Sequence, residues 1–373
     1  MCCAVRDRWS RTARRGRTRP DVPLRPNLRL HAGAWIREST PYPSGRWFMT
    51  PDVAFPFIEM RVSVVVCAFN EERSLPSLLT YLMREELDPE TSLEVICVLS
   101  GCTDRTVPLA RALAADHPEV RIIEEPIRTG KAAALTSGLL SSSGDVIFVV
   151  NADTLPTTGF IRAAVRCFQD PEVALVCSHI APANCTSGFT PGLGQCLWAV
   201  HHEICLSRPH AGEAFAFRGP GFAIPANVQD DDEFVQWWVT RHRGRAVYLP
   251  FPVVHNLSPT VFSDYVRQRF RVARQYVKFS SAYDSESSSK NPTVAIPAIV
   301  WVARKRPDLR GYLVAFAILE LCVGLMARIR EALRTADLTV WDPIVTSKGA
   351  ISSGLQDGVT STSSPAVGRP PRS

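Results

Sequence analysis

Val146-Ile147-Phe148-Val149-Val150-Asn151-Ala152-Asp153 decides how this chain is read. Five apolar residues bounded by polar ones read as a buried strand of a parallel sheet. In open α/β sheets the ligand crevice lies beyond the carboxyl ends of the strands. This strand therefore delivers Asp153 to the place where a ligand binds. One carboxylate is a weak sign on its own; its weight comes from polar residues that close other apolar runs in the same way.

Outward from this strand, apolar runs and helical patterns alternate from residue 61. Val62–Cys67 reads as a buried strand, followed by the polar turn Asn70-Glu71-Glu72 and an amphipathic helix marked by Leu75, Leu78, Leu79 and Leu82. Glu94–Leu99 is a second strand, with the loop Ser100-Gly101-Cys102-Thr103-Asp104 and then a helix around Val107–Ala114. Val120–Ile123 is a third, and Arg128-Thr129-Gly130-Lys131 leads into a helix from Ala132 to about Leu140. A helix near Phe160–Phe168 and a strand near Ala174–Ser178 continue the series beyond Asp153. The fold class expected is α/β, a Rossmann-type, mostly parallel sheet with helices on both faces. Right-handed crossovers then gather the loops at 68–72, 100–105 and 151–154 along one edge.

Charge and cysteines narrow the function classes. The net charge of +6 resides in residues 1–60, which hold eleven Arg against five Asp and Glu, so the remainder is formally neutral. That weakens the case for a basic nucleic-acid-binding domain, and no nucleic-acid partner is expected. Residues 1–59 lack sustained apolar periodicity and read as a disordered basic segment, with a functional start near Met60 an equally good reading. The eleven cysteines include no CxxC pair, and Cys67, Cys97, Cys177 and Cys322 lie in apolar runs, as expected of reduced thiols in a cytoplasmic protein.

Residues 180–225 are mixed. Asp230-Asp231-Asp232-Glu233 opens a helix containing Phe234, Trp237 and Trp238, with acids where the helix dipole favours them. Val247–Val254 is apolar but broken by prolines, and Val261–Phe279 is a basic amphipathic helix with Gln268, Arg269, Arg271 and Arg274. Residues 280–292 are Ser-rich and expected to be mobile. Val294–Val302 and Tyr312–Ala327 are apolar; the second has only 16 residues and includes Glu320, short of the roughly 20 a spanning helix needs. These two segments, flanked by Arg304, Lys305, Arg306, Arg328 and Arg330, are expected to pack on the core or lie on the cytoplasmic face of a membrane.

Several of these stretches together resemble the family-2 nucleotide-sugar glycosyltransferases, over roughly residues 60–280. They are Val-Val-Val-Cys-Ala-Phe-Asn-Glu-Glu (64–72), Ser-Gly-Cys-Thr-Asp-Arg-Thr (100–106), Arg-Thr-Gly-Lys-Ala-Ala-Ala-Leu (128–135), Asn-Ala-Asp-Thr-Leu-Pro (151–156), Asp231-Asp232 and Gln-Arg-Phe-Arg-Val (268–272). The resemblance implies a GT-A fold with a catalytic domain over 60–280, its nucleotide-sugar half about 60–155 and its acceptor half about 156–280. C-terminal apolar helices follow over 281–345, and an unstructured tail over 346–373. It also implies transfer of one sugar from a nucleoside-diphosphate sugar to an acceptor hydroxyl, with inversion.

Residue by residue, the resemblance puts Asp232 at the general base, with Asp231 orienting it or binding acceptor. Asn70, Glu72, Ser100, Lys131, Asn151, Gln268, Arg269 and Arg271 fall at donor-binding positions. A diphosphate donor calls for Mn²⁺ or Mg²⁺, which prefer oxygen ligands. Asp153 is the leading ligand, the alternative being a cap on the following helix. His255, after Val253-Val254, either completes the coordination or is a solvated strand-end histidine.

Three departures bear on this. Asn151 stands where the family often has Asp, which lowers the negative charge of the site. Ser100 replaces an Asp that reads uracil in relatives. Val272 replaces a Trp, against a processive polysaccharide synthase. Together they keep a non-catalytic sugar-nucleotide binder or assembly partner in view. A sugar-nucleotide pyrophosphorylase needs a Gly-rich, Arg-containing loop after the first strand, and Ala-Phe-Asn-Glu-Glu is not one. Trp198, Trp237, Trp238 and the apolar helices suggest a lipid-linked or otherwise hydrophobic acceptor; a glycan is the other class.

Overall fold

The computed structural model describes residues 35–38, 46–49, 59–184, 187–283, 291–333, 348, 349 and 351. All of them belong to one unit, Ala34–Ser373. The disordered segment expected over 1–59 falls mostly outside the described residues; within it Trp35–Glu38 (β1) and Arg46–Met49 (β2) pair antiparallel. The Ser-rich stretch and the C-terminal tail also lie largely outside them.

An eight-stranded sheet carries the fold. Its strands are Met60–Ala68 (β3), Thr91–Ser100 (β4), Val120–Glu125 (β5), Val146–Val150 (β6), Leu155–Pro156 (β7), Val173–Pro182 (β8), Ala214–Arg218 (β9) and Arg245–Asn256 (β10), in the spatial order β5-β4-β3-β6-β9-β8-β10-β7. β5, β4, β3 and β6 are parallel neighbours, as are β8 and β10. β9 runs antiparallel between β6 and β8, and β7 is antiparallel to β10.

Period-2 alternation sorts the side chains of β3 into two layers. Val62, Val64 and Val66 join the core cluster that holds the leucines of helix Leu75–Arg84 (α1). Val65 joins the opposite cluster, with Leu135 and Leu139 of helix Lys131–Ser141 (α3). A ten-residue helix is marginal in water. Burial of Leu75, Leu78, Leu79 and Leu82, at about 1.5–3 kcal/mol each, is what holds α1. Helices Thr106–Ala114 (α2) and Phe160–Cys167 (α4) share the α1 face, while Asp231–His242 (α6) packs with α3. The expected helices on both faces are present. Gly138 lets α3 lie close to the sheet, since a Cβ there would collide with Val65 Cγ1.

Beyond the pairing of β1 and β2, the structure differs from expectation in two places. The mixed stretch 180–225 contains a 17-residue helix, Phe189–Cys205 (α5), and the central strand β9. Gly192 and Gly194 weaken α5 as a sequence signal. They are used for close approach, a Cβ at Gly192 being 2.6 Å from Tyr312. The apolar run Tyr312–Ala327 is part of a 23-residue helix, Arg310–Ala332 (α9), because helix continues through Arg310-Gly311 and Arg328–Ala332 at the ends of the run. By length and composition the segment Pro307–Ala332 is sufficient to cross a membrane, contrary to the expectation from the apolar run alone. Helices Phe262–Tyr283 (α7) and Pro292–Lys305 (α8) complete the C-terminal layer.

Candidate active site

Three loops meet at the carboxyl edge of β3, β4 and β6, as parallel order requires. The first two are tied to each other by their own side chains. Asn70, in a left-handed backbone conformation at φ 53°, accepts from Thr103 N–H (2.8 Å) and donates to Thr103 Oγ1 (3.1 Å). Glu72 accepts from the Arg105 backbone N–H (3.1 Å) and Nε (3.3 Å). Asp104 accepts from Glu72 N–H (3.3 Å) and from the N–H of Thr106, the first residue of α2 (2.9 Å). Asn70 and Glu72 thus shape the loops. Ser100, 4% exposed, has a buried Oγ without a hydrogen-bond partner among the described residues.

Lys348 closes this corner from the C-terminal segment. Its ammonium donates to the carbonyls of Phe69 (2.7 Å) and Asn70 (2.9 Å) and pairs with Glu71 at 2.6 Å. Burial, and then the charge of Asp153, raise the Glu71 carboxyl above its ordinary range, with Lys348 opposing them. Ile351 is buried in the same core cluster as Ala68.

The third loop carries Asn151 and Asp153. Asn151 Nδ2 donates to Glu213 Oε2 at 2.7 Å, and its backbone N–H donates to the Glu213 carbonyl at 2.9 Å. Asn256, at the end of β10, donates to Glu213 Oε1 at 3.2 Å. Burial, and then Asp153, push the Glu213 carboxyl up to about 7, against Asn151, Lys131 and Asn256. Glu213 was not foreseen from sequence. It comes to the edge because β9 is antiparallel to β6, with Val150 opposite Ala214, so the residue before β9 adjoins the residue after β6.

α3 and α6 meet here through their N-termini. Lys131 Nζ lies 2.9 Å from Asp231 Oδ2. Desolvation opposes the Lys131 charge, but Asp231, Asp232 and Glu213 outweigh it and raise the pKa. Burial raises the Asp231 carboxyl and Lys131 opposes that rise. Asp230 is held well above the ordinary range by burial and then by the charge of Asp232. Asp232 is half-buried in the same helical turn.

The predicted residues of α7 divide. Arg271 is within the field of Glu213, Asp153 and Asp231, which oppose the lowering of its pKa by burial. Arg269 instead pairs with Glu320 of α9, Nε to Oε1 at 2.6 Å and an Nη to Oε2 at 3.0 Å. Gln268 lies one residue earlier, half-buried. Trp237 and Trp238 are engaged in packing, Trp238 stacked on Phe222 at 4.2 Å and Trp237 edge-on to Tyr283 at 5.0 Å. Trp198 packs against the main core cluster and His201.

Fitness for a divalent cation can be judged from the donor set. Asp153 makes no hydrogen bond or ion pair among the described residues, and the acids Glu71 and Glu213 feel its charge. Unpaired carboxylate charge at a strand edge suits a hard cation. Among the described residues no three His, Cys, Asp or Glu side chains form a metal-binding set, so at most two such side chains would share a cation here. His255 lies in the β-ladder opposite Leu155 and Ala181, where burial lowers its pKa. A site with one or two protein carboxylates, completed by phosphate oxygens and water, is the ordinary Mg²⁺ arrangement.

Comparison with known proteins gives a consistent result. Residues 63–206 match the model of glycosyl transferase family 2. A dolichyl-phosphate beta-glucosyltransferase of Trichomonas vaginalis is 31% identical over 118 residues, 30% of this chain and 36% of that protein. The chain spans about a third of the length of the first curated relatives it matches. A beta-monoglucosyldiacylglycerol synthase of Nostoc is 23% identical over 322 residues, 76% of this chain and 68% of that one. In fold the chain is similar to a mannosyltransferase of Pyrobaculum calidifontis solved with GDP-Man and Mn²⁺, at TM-score 0.50 and 23% identity, covering 72% of this chain and 90% of that one.

Proposed function

We propose that the chain, whose residues 63–206 match the model of glycosyl transferase family 2, transfers a single sugar from a nucleoside-diphosphate sugar to a lipid-linked or lipid hydroxyl acceptor, with inversion. The observation that carries this reading is the meeting of Asp153, Lys131 and the Asp231-Asp232 turn at one edge of the sheet. The loops at 69–72 and 100–106, with the buried Ser100 hydroxyl, form the nucleotide side. Lys131 and Arg271 supply positive charge for the diphosphate. A divalent cation held by Asp153 would neutralise the leaving diphosphate, as the Mn²⁺ bound with GDP-Man in the fold relative suggests.

Asp232 is the general base. It accepts the acceptor hydroxyl's proton as the new oxygen–C1 bond forms and the C1–phosphate oxygen bond breaks, releasing the nucleoside diphosphate. A single base acting in one displacement inverts the anomeric centre. Asp231, paired with Lys131, positions the turn that carries the base. A lipid acceptor is supported by the two curated relatives, named for dolichyl phosphate and for a glucosyldiacylglycerol; of the two, only the diacylglycerol presents the hydroxyl on which Asp232 would act. The apolar outer face of α9, flanked by basic residues, supports attachment to the cytoplasmic face of a membrane.

The test uses the full chain with lipid vesicles, UDP-, GDP- and dTDP-sugars, and Mn²⁺, Mg²⁺ or EDTA, measuring nucleotide release and sugar transfer. Metal-dependent release from one donor is expected. Loss in Asp153→Ala and a drop of roughly 100-fold or more in kcat for Asp232→Asn are expected with it. Donor binding without turnover, unchanged by Asp232→Asn, would instead establish a non-catalytic binder.

A further inference from the structure

Asn151 occupies the position where the site needs negative charge, and it supplies none. The structure places a carboxylate against it from another strand. We infer that Glu213 is the second carboxylate ligand of the divalent-cation site, partnering Asp153 in place of an acid at 151. This inference rests on the glycosyltransferase reading for the role of the cation, but not for the existence of the ligand pair.

The geometry gives Glu213 little other purpose. Its two oxygens each accept one amide hydrogen, from Asn151 at 2.7 Å and Asn256 at 3.2 Å. Both donors are neutral, so they orient the carboxylate without cancelling its charge. Each carboxylate oxygen keeps a lone pair for a cation. Asn256 is 7% exposed, and its Oδ1 has no hydrogen-bond partner among the described residues, leaving a buried acceptor beside the carboxylate. An orphaned buried acceptor is costly unless something satisfies it. A cation or its bound water would do so. Among the described residues Glu213 forms no ion pair; Lys131, 2.9 Å from Asp231, and Arg271 act on it through their fields. A half-buried carboxylate held by two amides and facing a second acid is a costly arrangement for stability alone. It is economical for holding a hard cation with phosphate oxygens in the remaining positions.

The backbone explains why the two positions are interchangeable. Asn151 and Glu213 continue the β6–β9 ladder by one further hydrogen bond, so their side chains leave adjacent strands at the same level. An exchange of amide and carboxylate across the 2.7 Å contact therefore preserves the hydrogen bond and the total charge.

The full chain is titrated with Mn²⁺, alone and with UDP or GDP, by calorimetry and by electron paramagnetic resonance of the free ion. Glu213→Gln is expected to weaken Mn²⁺ binding roughly 10–100-fold, as Asp153→Asn does, with the thermal midpoint held within a few degrees. The exchanged double variant, Asn151→Asp with Glu213→Gln, is expected to recover most of the affinity. Wild-type affinity in Glu213→Gln, a weakened affinity that the exchanged variant fails to recover, or a wild-type chain that binds no Mn²⁺ in either form would each overturn the inference. A chain that binds Mn²⁺ through this pair but releases nucleotide from no donor would remove the transferase reading and leave the pair standing.

Discussion

Eight histidines occur in the chain, and His179, His201 and His202 are brought together where α5 crosses β8 and β10. The His179 and His202 rings lie 4.1 Å apart, His202 Nδ1 is 2.7 Å from Tyr248 Oη, and His201 lies against the Cys205 thiol. Burial lowers the pKa of His179; burial, then His210, His179, His202 and Arg269, holds that of His201 well below the ordinary value. An imidazole that resists protonation when folded, but accepts a proton when unfolded, stabilises the fold above pH about 6.5 and loses that contribution as pH falls. Between pH 6.5 and 5 the loss per histidine is at most about 2 kcal/mol. Urea denaturation at pH 7.5 and 5 is expected to show the fold weakening with acid, and His201→Gln to flatten that dependence. An equal slope in wild type and variant would count against it.

At the level of elements, α7 and α9 are joined by ion pairs rather than by apolar packing alone. Arg269 and Glu320 have side chains only 10% and 19% exposed, and Arg274 pairs with Glu331 at 2.6 Å. Removing one member of a buried pair strands the other, at a cost of about 3–5 kcal/mol, whereas replacing both by apolar residues is often neutral. Glu320→Gln is expected to destabilise by about 3 kcal/mol, near the low end because both side chains keep some solvent. Activity should fall with it, since α7 also carries Arg271 into the site. The double variant Arg269→Met, Glu320→Leu is expected to regain stability. Denaturant midpoints decide this: a single variant as stable as wild type would show that the pair does not hold α7 in place.

For the whole molecule, α9 presents two different faces. Leu313, Phe316, Val323 and Ala327 are buried toward α5 and α7, while Val314, Ile318, Leu321, Leu325 and Ile329 recur at helical spacing on the outside and are 51–74% exposed. Such an apolar stripe is larger than solitary surface hydrophobes require. Arg304, Lys305 and Arg306 precede it and Arg328 and Arg330 close it. Glu320 lies near the middle of α9 and is paired on the protein side, which suits a helix lying at a membrane interface. In a flotation assay the full chain is expected to rise with vesicles containing anionic lipid, and Leu321→Ser with Leu325→Ser to remain at the bottom. A variant that floats as well as wild type would sink this assignment.

The sequence alone determined the alternating α/β order, the three loops at one edge, and Asp153, Lys131 and the Asp231-Asp232 turn as site candidates. These follow from short-range signals: apolar runs, turn residues at strand ends and acids at a helix start. It also carried the family resemblance, through motifs whose order is local. Tertiary structure alone decided that β9 inserts antiparallel beside β6, and thereby that Glu213 meets Asn151. It alone turned Arg269 away to Glu320 and brought Lys348 against the loop at 69–71, 277 or more residues away in the chain by numbering. No periodicity spans such distances, because a side chain's partner across a sheet or between helices is set by strand order and helix packing. The missed helix α5 has the same cause. Its glycines are poor helix formers on their own and become favourable only where Tyr312 and Ser258 pack against them.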